Sequence, residues 1–277
     1  SDSYVTSDVR GQGYIGGLAG YLSGSVTASH VTSSVVGTGN VIGGLVGELY
    51  GSIADGYSIG AVSGVQQVGG LVGYVHSGGS ITLMSHHTTG AVSGDSAVGG
   101  LAGVMQGNID NSYATGSVIG TGGDIGGLAG QLDGGQITNS YATGAVSGDT
   151  SVGGLAGNML NNGGIGSSYA RGNVTGTRDY VGGLAGKVNS GSSITTSHYV
   201  TGTVSGALGV GGVAGTLLGS IADSYATGTV TGNSERVGGL AGNVNGGQIT
   251  NSYATGAVTG TYSVGGLAGF VYSGGSI

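Results

Sequence analysis

The chain is 277 residues long; 70 of them are glycine, and proline and cysteine are both absent. The lack of proline excludes a collagen, and the lack of cysteine removes disulfides, thiol catalysis and thiolate metal sites together. Charged residues make up only 6% and the net charge is −7 with five Lys+Arg, so no basic surface for nucleic acid, no coiled coil and no charge-rich disordered tail is expected.

The first pattern along the chain ends on Val9 and a glycine two residues later, Gly11. It returns at Val35, Val62, Val92, Val118, Val146, Val174, Val204, Val230 and Val258. The second opens on Ile15 as Ile-Gly-Gly-Leu-Ala-Gly, with counterparts at Ile42, Val68, Val98, Ile125, Val152, Val181, Val210, Val237 and Val264. Its ten copies are 26 to 30 residues apart. Four residues after its leucine stands another large apolar residue, as in Leu18/Leu22, Leu101/Met105, Leu184/Val188 and Leu267/Val271. A Gly-x-Ile follows, at Ile53, Ile109, Ile137, Ile165, Ile221 and Ile249. A fixed period of this length marks a stacked repeat architecture.

The residue types decide which one. Apolar residues alternate at period two, which is the strand period. Glycine at this density would cost a helix ~1 kcal/mol per residue. Each copy therefore reads as a coil of two or three short strands, with glycine at corners that need positive φ. The opening Val and the Leu of Val-Gly-Gly-Leu are three apart, which breaks strand parity and places a bend at the Gly-Gly pair. The expected fold is all-β: a parallel β-helix (β-solenoid) of about ten coils and about 28 residues per coil, right-handed, roughly 45–50 Å long. Residues 1–277 read as one solenoid domain, part of a longer array, because neither end carries the polar cap that solenoids need. No apolar run reaches the ~18 residues of a membrane span, so no membrane insertion is expected.

With Val118 facing inward, Ala114 and Gly116 face in as well, and Tyr113, Thr115 and Ser117 face solvent. Counting back from each constant valine gives an aromatic column: Tyr4, His30, Tyr57, His87, Tyr113, Tyr141, Tyr169, Tyr199, Tyr225 and Tyr253. Beside it runs a hydroxyl column that includes Thr115, Thr143, Thr201, Thr227 and Thr255. Two uses are open. Stacked rings can simply hold neighbouring coils together. Alternatively, the ribbon formed by Tyr113, Tyr141, Tyr169, Tyr199, Tyr225 and Tyr253 with Thr115, Thr143, Thr227 and Thr255 can take up sugar rings or another copy of the rod.

Other chemistry is sparse. His86-His87 is the one histidine pair, and it reads as a replacement within the aromatic column. The aspartates of variable loops, such as Asp95, Asp124, Asp149 and Asp179, match no calcium spacing, so no metal site is expected. The Gly-x-Gly strings are followed by no helix and cradle no dinucleotide, so no cofactor is expected. There is no Gly-x-Ser-x-Gly elbow and no His-Glu-x-x-His motif. The connections between patterns are three to five residues long, too short for the inserted loops on which repeat proteins carry active sites. The expectation is a protein that is not an enzyme.

The (Val/Ile)-Gly-Gly-Leu-(Ala/Val)-Gly core, from 15–20 to 264–269, resembles the GLUG repeat, and Val213 is its one departure from leucine. Ile-Thr-Asn-Ser-Tyr-Ala-Thr-Gly at 137–144 and 249–256 is similar to the companion part of that repeat. GLUG repeats occur in large bacterial surface and secreted proteins, notably filamentous-haemagglutinin-like and biofilm-matrix adhesins. The resemblance implies a β-helical stalk of an extracellular adhesin on a bacterial surface. It would mediate attachment of cells to one another, to matrix or to a host, with a polysaccharide or another copy of the chain as partner. The alternative is a polysaccharide-binding or polysaccharide-degrading β-helix protein.

Overall fold

In a computed structural model that describes residues 2–83 and 90–277, the chain winds as a parallel β-solenoid of ten coils. Among the described residues, eight of the ten coils carry five short strands and two carry four, rather than the two or three expected. In one coil they are Tyr113–Ala114, Val118–Gly120, Gly123–Gly126, Ala129–Asp133 and Gln136–Thr138. Among the described residues, strands pair in parallel with their equivalents in neighbouring coils, as Val118 with Val146, Ile125 with Val152 and Ile137 with Ile165. The result is three ten-stranded stacks, one nine-stranded stack, and a tyrosine-bearing stack of three and then six strands on either side of residues 84–89. The extra strands escape a reading of periodicity because each is only two to five residues long, too short to display alternation.

The interior is a set of ladders in which like stacks on like. The constant valines from Val35 to Val230 are buried, as are the leucines of the glycine motif from Leu45 to Leu240. Val213, which stands where the other coils have leucine, is also wholly buried. The isoleucine ladder is longer than the sequence pattern suggested, because Val26, Ile81 and Ile194 join it in register. Each buried Val, Leu or Ile contributes about 1.5–3 kcal/mol relative to exposure.

The bend lies where strand parity broke, at the second glycine and the leucine: Gly100 and Leu101 separate the strands Ser96–Gly99 and Ala102–Met105. Pairing continues through it, since the Leu101 amide donates to the Leu128 carbonyl at 2.9 Å and the Leu128 amide to that of Leu155 at 2.9 Å. Glycine is required there for close approach. A Cβ on Gly100 would overlap the carbonyl oxygen of Gly127, and one on Gly127 that of Gly154.

The expectation that glycine supplies positive φ at the corners is corrected. Most positive-φ residues are not glycine: Asn111, Asn139, Ser167, Asp223 and Asn251 turn one corner, and Gln67, Asp124, Tyr180 and Arg236 another. Asn and Asp enter the left-handed region readily, whereas Tyr and Arg are held there by the surrounding ladder. The first of these corners leads into a buried serine. The Ser112 amide donates to Ser140 Oγ at 3.1 Å, Ser140 to Ser168 Oγ at 3.1 Å, and Ser168 to Ser197 Oγ at 3.2 Å. Each hydroxyl donates in turn to a carbonyl two residues before it, as Ser168 Oγ does to Gly166 at 2.8 Å. This serine ladder satisfies amides that would otherwise be buried without partners.

Candidate functional site

The strand that follows each serine is only two residues long and presents one ring outward and one small residue inward. Tyr113 is half-buried while Ala114 is buried, and Tyr141/Ala142 and Tyr169/Ala170 repeat the arrangement. Parallel pairing in register brings the rings face to face. Tyr113 and Tyr141 have centroids 4.6 Å apart with planes 8° from parallel, and Tyr141 and Tyr169 are 4.8 Å apart at 3°.

The next ring is not Tyr199. His198 stands 5.4 Å from Tyr169 and 4.8 Å from Tyr225, in planes within 6° of both. Tyr225 then stacks on Tyr253 at 5.1 Å. Tyr199 is wholly buried in the column of small residues, paired with Ala170 on one side and Ala226 on the other. Its hydroxyl donates to the Gly172 carbonyl at 3.0 Å, and the ring lies against Gly183, Gly202 and Gly228, positions where a Cβ would collide with it.

The cause is one additional residue between the serine and valine columns of that coil. Ser168 to Val174 is six steps, whereas Ser197 to Val204 is seven. Counting back from valine selects Tyr199, but the serine ladder fixes the register and selects His198. The extra residue is absorbed at Thr201, whose φ is +74°. Val200 thus takes the hydroxyl-column place, its amide bonding the Ala170 carbonyl, while Thr143, Thr227 and Thr255 keep theirs. Thr115 precedes Thr143 in the same column and is half-buried. Nearer the start, Tyr4, His30 and Tyr57 form a second stacked run. His86 and His87 lie outside the described residues.

The ribbon is electrically quiet. Burial, and then the neighbouring hydroxyls of Tyr113 and Tyr169, push Tyr141 above the usual tyrosine range. Burial, and then the Arg171 guanidinium, hold His198 below the ordinary histidine value. The Arg171 guanidinium carbon also lies 4.8 Å from the centroid of the Tyr169 ring, within cation–π range. Rings from Tyr141 to Tyr225 have both faces against neighbours, so edges and hydroxyl rims are what the ribbon offers another molecule.

The loop aspartates serve as staples between coils. Asp110 Oδ1 accepts from Thr138 at 2.7 Å and from Asn139 at 3.2 Å, each one coil on. Asp95 accepts from Thr121 at 2.8 Å, and Asp149 pairs with Arg178 at 3.3 Å. Among the described residues, no three His, Asp or Glu side chains are gathered as a metal site.

Against known proteins, four repeats match the GLUG motif, at residues 94–119, 121–147, 206–231 and 233–259. No curated protein and no solved structure matches the chain.

Proposed function

We propose that this GLUG-repeat protein is a non-enzymatic spacer of a bacterial surface adhesin, working outside the cell to hold an attachment site away from the surface. The observation that carries this reading is the pairing of three strand stacks through all ten coils, with valine, leucine and isoleucine ladders stacked along the rod. A rod whose coils each bond to their neighbours holds its two ends at a set separation, about 45–50 Å for ten coils. The hydroxyl- and glycine-rich surface, poor in charge, suits it to crowded extracellular matrix. The carboxylates argue against chemistry, because Asp95, Asp110 and Asp149 spend their oxygens on the adjoining coil.

Display of the chain between a surface anchor and a tip epitope tests this reading. The epitope should stand at a fixed height of about 45–50 Å, with a much narrower spread than a flexible linker of equal mass gives. Incubation with a panel of polysaccharides should release no reducing ends. Release of sugar would replace the spacer reading with that of a polysaccharide-degrading β-helix.

A further inference from the structure

A second aromatic group lies away from the ladder, on the stack that begins with the strand Ala19–Leu22. In register there, Tyr21 pairs with Glu48 and Glu48 with Tyr74. Two residues further along each coil come Tyr50 and His76, their amides bonded to the Leu22 and Leu49 carbonyls. Two columns therefore meet, and their rings do not align as in the ribbon. Tyr50 stacks on His76 at 3.7 Å, while Tyr21 meets Tyr50 at 5.2 Å and 42°, and Tyr74 meets His76 at 4.5 Å and 41°. Glu48 Oε1 lies 2.6 Å from His76 Nε2 and accepts from the Tyr50 hydroxyl at 3.3 Å. Glu48 Oε2 carries neither contact.

Exposure separates two of these rings from the ladder. Tyr21 is 58% exposed and Tyr50 45%, whereas Tyr74 and His76 are half-buried, as are the rings between Tyr113 and Tyr225. The tilt leaves ring surface open to solvent, with a carboxylate and phenolic hydroxyls at its rim. Exposed aromatic surface flanked by planar and hydroxyl hydrogen-bonding groups is the chemistry that holds a sugar ring, apolar C–H face on the ring and hydroxyls on the rim. The charge selects the kind of sugar. Of the five Lys and Arg, four lie at Arg171 or beyond, and Arg10 is engaged by Asp8 at 3.6 Å. With Glu48 at the centre and no Lys or Arg other than Arg10 on these coils, an acidic polymer finds no permanent cation free to hold it.

We propose that Tyr21, Tyr50 and Tyr74, set around the Glu48–His76 pair, form a binding platform for a neutral polysaccharide chain lying along the rod. The three coils that supply it span roughly 10 Å at the ordinary strand spacing, and the polymer runs parallel to the coil axis so that successive sugars meet successive coils. This deepens the spacer reading and rests on it, by giving the stalk its own hold on matrix.

Affinity electrophoresis of the intact chain through gels containing dextran, a soluble β-glucan or alginate tests it. Retardation is expected in at least one neutral polymer and none in alginate. The Tyr21→Ala/Tyr50→Ala variant should bind about tenfold more weakly or worse, as loss of an aromatic anchor does, and Tyr262→Ala, at an exposed ring on a different strand stack, should bind as the parent does. Circular dichroism checks folding, and Tyr21→Ala alone decides if the double variant unfolds. No retardation in either neutral polymer, equal retardation of the variant, or retardation confined to alginate would overturn the proposal. Failure on these terms leaves a rod of undiminished length, whereas failure of the spacer reading shows as a variable height in the display experiment.

Discussion

Tyr199 illustrates how a single residue sets a local account. Its ring fills an interior slot made by three glycines, so Tyr199→Ala should destabilise the chain by about 3–5 kcal/mol, the cost of emptying an aromatic site. Burial pushes its hydroxyl far above the usual tyrosine value of 10.0. The sign of the pH effect follows. The folded state keeps the proton above pH 10 where the unfolded chain releases it, so this stability is complete below that pH and falls as pH rises. Denaturant titrations from pH 8 to 11 should show a decline that is shallower in Tyr199→Phe. Ser140 makes a parallel case. Ser140→Ala leaves the buried Ser112 amide without its acceptor and should cost about 1–3 kcal/mol in the same titration. The valine column and the aromatic-plus-alanine spacing were legible from residue types alone. The serine ladder was not, because serine is abundant everywhere in this composition, and only the register of the fold distinguishes the buried serines from the exposed ones.

At the scale of the strand, the aromatic ladder is held by stacking between coils. Tyr141 has a ring on each face, so Tyr141→Ala should lose two stacked pairs, about 1–3 kcal/mol, seen as a lower unfolding midpoint. Replacing His198 with tyrosine should preserve the ladder, since the position is that of a ring. The bend is less forgiving. Gly127→Ala forces a Cβ against the carbonyl of Gly154, so the coils must separate locally, and purified protein should show reduced β-signal or lower solubility. The bend itself was readable from broken parity. The five strands per coil were not, because a two-residue strand such as Tyr141–Ala142 exists only through its partners in neighbouring coils.

For the whole molecule, the repeat governs both what was legible and what was not. Ten copies of two fixed columns imply stacking, and stacking implies a rod, whatever the details of each corner. The second aromatic group escaped a column-by-column reading because it draws on two different columns across three coils, and no single column in it is uniformly aromatic. The same logic gives the most direct test of the account. Small-angle X-ray scattering should be measured on the intact chain and on a variant lacking residues 121–147, one repeat as the GLUG match bounds it. The expected result is a folded rod of unchanged cross-section, shorter by about 4.8 Å, one strand spacing. A change in cross-section, or loss of folding on removal of one coil, would contradict a solenoid built from interchangeable, neighbour-bonded turns.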